Sequence, residues 1–362
     1  MSPVVIFGLM FSILLIILGL LLPKSKSVTF IIIAWIIILT SFNNGGADWN
    51  VHLNIFKDSY FSLSAISNGF FNSGLFILLY GLFKSIGFSF YSTNFIINFI
   101  CIMLLYKIIS KKTKNVNIVL VFLIIYPLVE IIIQKRNFVS SIFVLLGFCE
   151  LFNNEKKYSK LLGFFYLLVA SLLHQATFIY FLFAVFFLLN DKVIDKILMV
   201  IIPLSFLITP FLPKILGIFF SSSKIQLYFY QLKVSNLSFV CSCAIHILFI
   251  IFLVLFNKNS NDQLSNKVIK LNKISLLLLP FYYYQSAFIR LFRNLLILNY
   301  ICFANNIEKI KYKRYFGIFL AFIIFLLLVF VFYYIVSGLG FYNLVARLFE
   351  NNSFFDFFNL FK

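Results

Sequence analysis

The chain has 362 residues, 62% of them apolar and 11% charged, with a mean hydropathy of +1.04. A soluble domain carries roughly 45–50% apolar and about 25% charged residues, so a water-soluble enzyme and a disordered polymer are both excluded. In a soluble protein the formal net charge of +19 would point to nucleic acid. In a membrane protein it follows from Lys and Arg collecting in cytoplasmic loops beside anionic lipid heads, and no nucleic-acid partner is implied.

At about 20 residues per crossing the length holds roughly ten to thirteen spans. Apolar runs separated by polar punctuation predict an all-α, polytopic integral membrane protein, one polytopic domain over 1–362, with about twelve transmembrane helices. The spans fall at 4–22, 28–42, 94–109, 116–133, 138–152, 161–173, 177–189, 194–212, 237–256, 274–289, 295–304 and 316–336. The first run lacks a basic n-region and an A-x-A site, so it reads as a retained span and not a cleaved signal. Segment 70–90 is apolar but broken by Asn72, Ser73, Gly74, Gly81, Lys84 and Gly87, which reads as a re-entrant or interfacial helical pair.

With that segment not crossing and the N-terminus outside, 19 of the 30 basic residues fall on the inner face, as the positive-inside bias requires. The long outer segments are then 43–93, 213–236 and an amphipathic, aromatic tail at 338–362, suited to a helix lying in the membrane interface. Cys101, Cys149, Cys241, Cys243 and Cys302 lie in apolar runs with neither zinc nor disulfide spacing, and read as small core residues.

Ionisable groups cost several kcal/mol in hydrocarbon, so each one in or beside a span is a functional candidate. Asp48, Arg136, His174, Arg290 and Arg293 fall at or near the outer ends of different segments, and Glu130 slightly deeper. Only five of the basic residues are arginine, and three of these stand on the less positive side, where lysine would suffice for topology. A guanidinium grips phosphate oxygens two at a time, so Arg136, Arg290 and Arg293 point to a phosphate or pyrophosphate ligand, with snorkelling to lipid head groups as the plainer alternative.

His174, between LLVASLL and QATFIYFLF, suits a proton acceptor or a structural histidine. Asp48, in NNGGADWN, suits a base, a sugar hydrogen-bond acceptor or an ordinary turn residue. Glu130 is expected to pair with Lys135 or Arg136 or to hydrogen-bond inside the bundle, and Asn137 stands beside them. His52 reads as an exposed loop residue and His246 as solitary in an apolar helix. No P-loop, G-x-S-x-G, H-E-x-x-H, Cys/His metal spacing or D-x-D is present, so neither a metal nor another cofactor is implied and a nucleotide-sugar transferase is disfavoured.

Three stretches resemble the EpsG-like family of Wzy-type exopolysaccharide and capsular polysaccharide polymerases. They are GGADWNVHLNIFKDSY with SGLFILLYGLFKSIGFS; QKRNFVSSIFVLLGF followed by EKKYSKLLGFFYLLVASLLHQATFIYFLF; and LPFYYYQSAFIRLFRNLLILNY. The family's tyrosines after the Asp are replaced here by His52 and Phe56, and its Arg-Gln by Arg136 and Asn137.

The resemblance implies glycosyl transfer between two undecaprenyl-pyrophosphate-linked oligosaccharides on the outer face of a bacterial plasma membrane. It assigns Arg136, Arg290 and Arg293 to pyrophosphate, with Lys135, Asn137 and Glu130 in support. His174 or Asp48 takes the hydroxyl proton. Membrane lipid, a chain-length regulator and the pathway's flippase are the implied partners. A lipid-linked glycan ligase, a flippase for lipid-linked oligosaccharide and a membrane O-acyltransferase are the competing readings. The long outer segments favour an enzyme over a flippase.

Overall fold

The structure is a computed structural model that describes residues 1–45, 48–62, 73–153, 158–217, 222–231, 234–258, 262–336 and 340–356. The described residues are almost wholly helical and contain no β-strand. In chain order the main helices are α1 (Pro3–Leu21), α2 (Lys26–Ser41), α3 (Trp49–Asp58), α4 (Gly74–Ser85), α5 (Phe90–Lys112), α6 (Val116–Ile125), α7 (Leu128–Ile133), α8 (Lys135–Leu151) and α9 (Ser159–Leu173). They continue with α10 (Ile179–Leu188), α11 (Asp191–Ile208), α12 (Asn236–Asn257), α13 (Gln263–Ser275), α14 (Ile289–Arg293), α15 (Leu296–Asn305) and α16 (Lys313–Phe330). Polar side chains start several of them. Ser25 accepts from the Val28 amide, Ser235 from Ser238, and Asp262 from Leu264 and Ser265, each satisfying a donor the helix leaves open.

Among the described residues, five helical stretches are long and apolar enough to cross a membrane: Pro3–Leu21, Phe90–Lys112, Asp191–Lys214, Asn236–Asn257 and Lys313–Ile335. Their outward residues, such as Met199 at 75% and Leu207 at 73% exposure, belong in hydrocarbon, not water. The chain is therefore an all-α membrane protein, but helix length does not establish a count of twelve spans.

The reasons are local. At 1.5 Å per residue, the ten residues of α15 reach about 15 Å of a core about 30 Å thick. The expected span 116–133 breaks between α6 and α7 at Pro127, which has no amide proton for the ladder. The expected span 274–289 is instead the end of α13 followed by a 3₁₀ stretch, Leu276–Tyr283, that contains Pro280. In the broken segment 70–90, α4 has twelve residues, about 18 Å, which is also short of a crossing. Its Gly81 lies against the backbone of Tyr60, where a Cβ would sit 2.4 Å from the carbonyl oxygen.

The chain divides into two compact units. The first comprises Met1–Phe143, Leu172–His174 and Ile307–Lys362; the second comprises Val144–Ser171 and Gln175–Asn306. In the first unit α2 packs on α5, α1 on α6, and α3 on α4. Buried amides join these helices. Asn117, at the start of α6, donates to the carbonyls of Leu22 and Ser25 and accepts from Thr29, while Asn98 donates from α5 to the Thr40 carbonyl.

Tail residues 341–356 pack on the same helices. Asn352 donates to the Ile38 carbonyl, Ser353 N–H to Phe42, and Ser2 to Glu350. The Phe349 ring fills the notch at Gly8, where a Cβ would stand 2.1 Å from it.

In the second unit α12 packs on α13, α15 and the 3₁₀ stretch, and α10 on α13. Gly147 of α8 and Gly163 of α9 face each other so closely that a Cβ on either would meet the other's carbonyl oxygen at about 3 Å, the close approach small residues allow between membrane helices. Asn272 and Asn299 exchange amide hydrogen bonds of 2.7 and 3.0 Å, and Asn257 accepts from both Ser265 and Asn306.

Segments that the charge bias assigns to one membrane face are also tied to one another within each unit. Lys24 pairs with Glu308, Lys270 with Asp191, and Lys273 with Asp195.

Asn299→Leu leaves the Asn272 amide buried without its partner, and the second unit is expected to lose about 1–2 kcal/mol. The double change Asn272→Leu with Asn299→Leu is expected to recover much of it. Thermal unfolding of the purified protein in nanodiscs reads both, and equal loss in single and double variants would refute the pairing.

Candidate functional site

In the first unit Asp48, His52, Lys135 and Arg136 lie on α3 or near it. His52 and Phe56 are one helical turn apart and form its buried face. They meet aromatic rings from two neighbouring helices: His52 lies 5.9 Å from Phe76, and Phe56 lies 5.5 Å from both Tyr80 and Phe90. The i, i+4 repeat of apolar and aromatic residues after Asp48 thus makes an amphipathic helix, and His52 is not the exposed loop residue expected from the sequence. It is 2% exposed.

Asp48 is the half-buried residue at the start of α3, and its carbonyl accepts the His52 amide at 3.0 Å. Its carboxylate does not cap the helix.

Lys135 and Arg136 open α8 ahead of the apolar run 138–152. Lys135 is 5% exposed, and its ammonium stands 4.6 Å above the Trp49 ring and 5.5 Å from that of Phe90, a cation–π position. Burial pushes that ammonium down to about 7. Arg136 and Asn137 are half-buried. Burial first, then the charges of Arg136 and Lys135, push the His52 imidazole down to about 3, so it is neutral across the physiological range.

Glu130, half-buried on α7, accepts a hydrogen bond from Gln134 at 2.8 Å. His174 is a half-buried residue outside helix, between α9 and the 3₁₀ turn Gln175–Phe178. Another face of α5, bearing Tyr91 and Phe95, borders an open cavity of about 750 Å³ shared with Ser41, Phe42, Asn44 and Phe88.

In the second unit Arg290 is half-buried and Arg293 is 6% exposed, on the short α14. Two groups the sequence did not single out fix that helix. Tyr180 of α10 donates its hydroxyl to the Leu291 carbonyl and is also hydrogen-bonded by the Asn294 side chain. His246 of α12 stacks on Phe292 with ring centroids 3.7 Å apart.

His246 is not solitary. Its Nδ1 meets the Tyr282 hydroxyl and its Nε2 the Ser275 hydroxyl, both at 2.8 Å. Ser275 and Tyr282 are seven residues apart, a spacing that would share a face on an α-helix, but the stretch between them is 3₁₀, so only the fold shows that both reach His246. Tyr180 and His246 are positioning residues for the arginine-bearing turn. Among the described residues no group of three or more His, Cys, Asp or Glu is placed to hold a metal ion.

These features define a helical membrane protein with a cationic, aromatic-walled cluster at the start of α8 and an arginine-bearing turn in its second unit. Residues 26–346 match the EpsG family, and the chain belongs to that family. Every candidate residue described above lies within the matched stretch. No curated protein and no solved structure matches the chain.

Between about pH 6.5 and 3 folded His52 binds fewer protons than an unfolded histidine, so its contribution to stability is present above that window and is lost as pH falls through it. His52→Gln is therefore expected to flatten the acid limb of the thermal-stability profile relative to the parent protein. Light scattering against temperature across a pH series reads the difference; identical acid limbs would sink the buried, neutral placement.

Proposed function

We propose that this protein is an oligosaccharide repeat-unit polymerase of a bacterial plasma membrane, transferring a growing glycan from undecaprenyl pyrophosphate to a hydroxyl of the next lipid-linked repeat unit on the outer face. The observation that carries this reading is membership of the EpsG family over residues 26–346. Within that stretch, a lysine and an arginine head α8 beside the buried face of α3.

In the proposed reaction the acceptor hydroxyl oxygen bonds to the anomeric carbon of the growing chain. The bond from that carbon to the pyrophosphate oxygen breaks, and its electron pair leaves with the lipid pyrophosphate. The hydroxyl proton passes to His174 or Asp48. Arg136, Arg290 and Arg293 neutralise charge developing on the leaving group, as fixed cations do best where water is excluded, with Asn137 and Glu130 in a supporting, positioning role. Membrane lipid surrounds the enzyme; a flippase supplying the units and a chain-length regulator are its expected partners.

Arg136→Ala and Arg290→Ala are each expected to lower surface polymer tenfold or more, the scale of about 1.4 kcal/mol or greater for a lost charge-assisted contact. Single lipid-linked repeat units should accumulate on the outer face while the protein stays at its normal membrane level. Accumulation on the inner face would identify a flippase instead, and unchanged polymer would reduce the arginines to lipid anchors.

A further inference from the structure

Four polar groups beside α3 are shut off from solvent and have no hydrogen-bond partner among the described residues. They are His52 Nδ1, Thr93 Oγ1, Asn94 Nδ2 and Lys135 Nζ. Each residue is at most 5% exposed, and Thr93 is fully buried. Leaving such a group unsatisfied is costly, more so where it is charged, so four from three helices at one place call for a ligand or ordered water.

Contacts on the page tie the four together. Thr93 and Asn94 stand one turn beyond Phe90, whose ring lies 5.5 Å from the Lys135 ammonium. Tyr80 donates to Asn94 Oδ1 at 3.2 Å, which fixes that amide and leaves its NH₂ as the open end. The Tyr80 ring lies 4.5 Å from Phe76, which in turn borders His52. Trp49, half-buried beneath Lys135, forms the outer wall.

We propose that His52, Thr93, Asn94 and Lys135 form an enclosed subsite for one acidic monosaccharide of the repeat unit, its carboxylate on the Lys135 ammonium and its ring against the aromatic walls. The balance of charge selects this ligand. The cluster offers one ammonium, neutral donors and a neutral imidazole, which matches a single negative charge on a hydroxyl-rich ring. A pyrophosphate carries more charge than the one enclosed ammonium neutralises, and the half-buried Arg136 is the residue assigned to pyrophosphate in the proposed reaction.

Flat aromatic faces with a few fixed polar atoms are the usual lining of a small-molecule site. A carboxylate bound there also compensates the buried ammonium, which forms none of the ion pairs seen among the described residues. The assignment makes Lys135 and His52 determinants of which glycan is accepted, and it rests on the polymerase reading only for the origin of the ligand.

The test is a binding measurement on the full chain in nanodiscs. The protein has two tryptophans, Trp35 and Trp49, so a Trp35→Phe variant leaves Trp49 as the sole reporter. Methyl glucuronide is expected to shift its emission saturably, with methyl glucoside at least tenfold weaker. Lys135→Met should abolish the response. Thr93→Val, which keeps the shape and removes only a hydroxyl, should weaken it severalfold and guards against a folding defect.

Equal responses to both sugars, a response to inorganic pyrophosphate alone, or none to any of the three would overturn the proposal, the last leaving ordered water as the occupant. Because binding is read without turnover, the two readings fail separately. Repeat units that accumulate on the inner face of Arg136→Ala cells remove the polymerase reading, whereas absence of a glucuronide response removes only the subsite.

Discussion

Membrane helices gain nothing by hiding apolar side chains from lipid that is equally apolar, so their arrangement rests on close packing and buried polar contacts. In this protein the asparagine amide is the recurrent device. Asn117 holds the α1–α2 turn to α6, Asn98 joins α5 to α2, and Asn352 joins the tail to α2. In the second unit the Asn272–Asn299 pair and the Asn257–Ser265–Asn306 cluster do the same. An amide both donates and accepts, so it fixes rotation as well as distance, which close packing of Leu, Ile and Phe alone does poorly. Register between helices fixed in this way is a condition for holding chemical groups at defined places beside α3 and on α14.

Around α3 a different rule applies. Aromatic rings supply the walls and a few polar groups are enclosed among them, so each polar group is isolated from water and correspondingly strong toward anything that reaches it. The same enclosure keeps His52 neutral and makes Lys135 reluctant to hold its charge. On α14 the strategy is mechanical. Arg290 and Arg293 ride on five residues, too few to be stable alone, and Tyr180 and His246 hold that turn from two longer helices.

Much of this was legible in the residues. Composition alone gave an all-helical membrane protein, and apolar runs located helices close to those observed for 4–22, 94–109, 194–212, 237–256 and 316–336, because long uninterrupted hydropathy has one interpretation. Runs such as 116–133 and 274–289 misled, since hydropathy does not register where a proline or a 3₁₀ stretch interrupts the ladder. Arg136, Arg290 and Arg293 stood out because charge is expensive beside hydrocarbon. His52 and His246 did not, because burial of a histidine depends on residues distant in sequence: on Phe76 and the head of α8 in one case, on Ser275 and Tyr282 in the other. Hydrogen-bond partners 29 and 36 residues away leave no periodic trace.

The first compact unit is discontinuous, built from residues 1–143 and 307–362 with Leu172–His174 between. Its earliest helices are completed by its latest residues. The carbonyls of Ile38 and Phe42 receive donors from Asn352 and Ser353, and the Gly8 notch is filled by Phe349. On the ribosome those partners emerge only after the whole second unit has been made. Until they are made, the Gly8 notch and the carbonyls of Ile38 and Phe42 lack these partners, so α1 and α2 reach their final packing only afterwards. The order of synthesis thus delays completion of the first unit until the second has been made, although most of its helices come earlier in the chain.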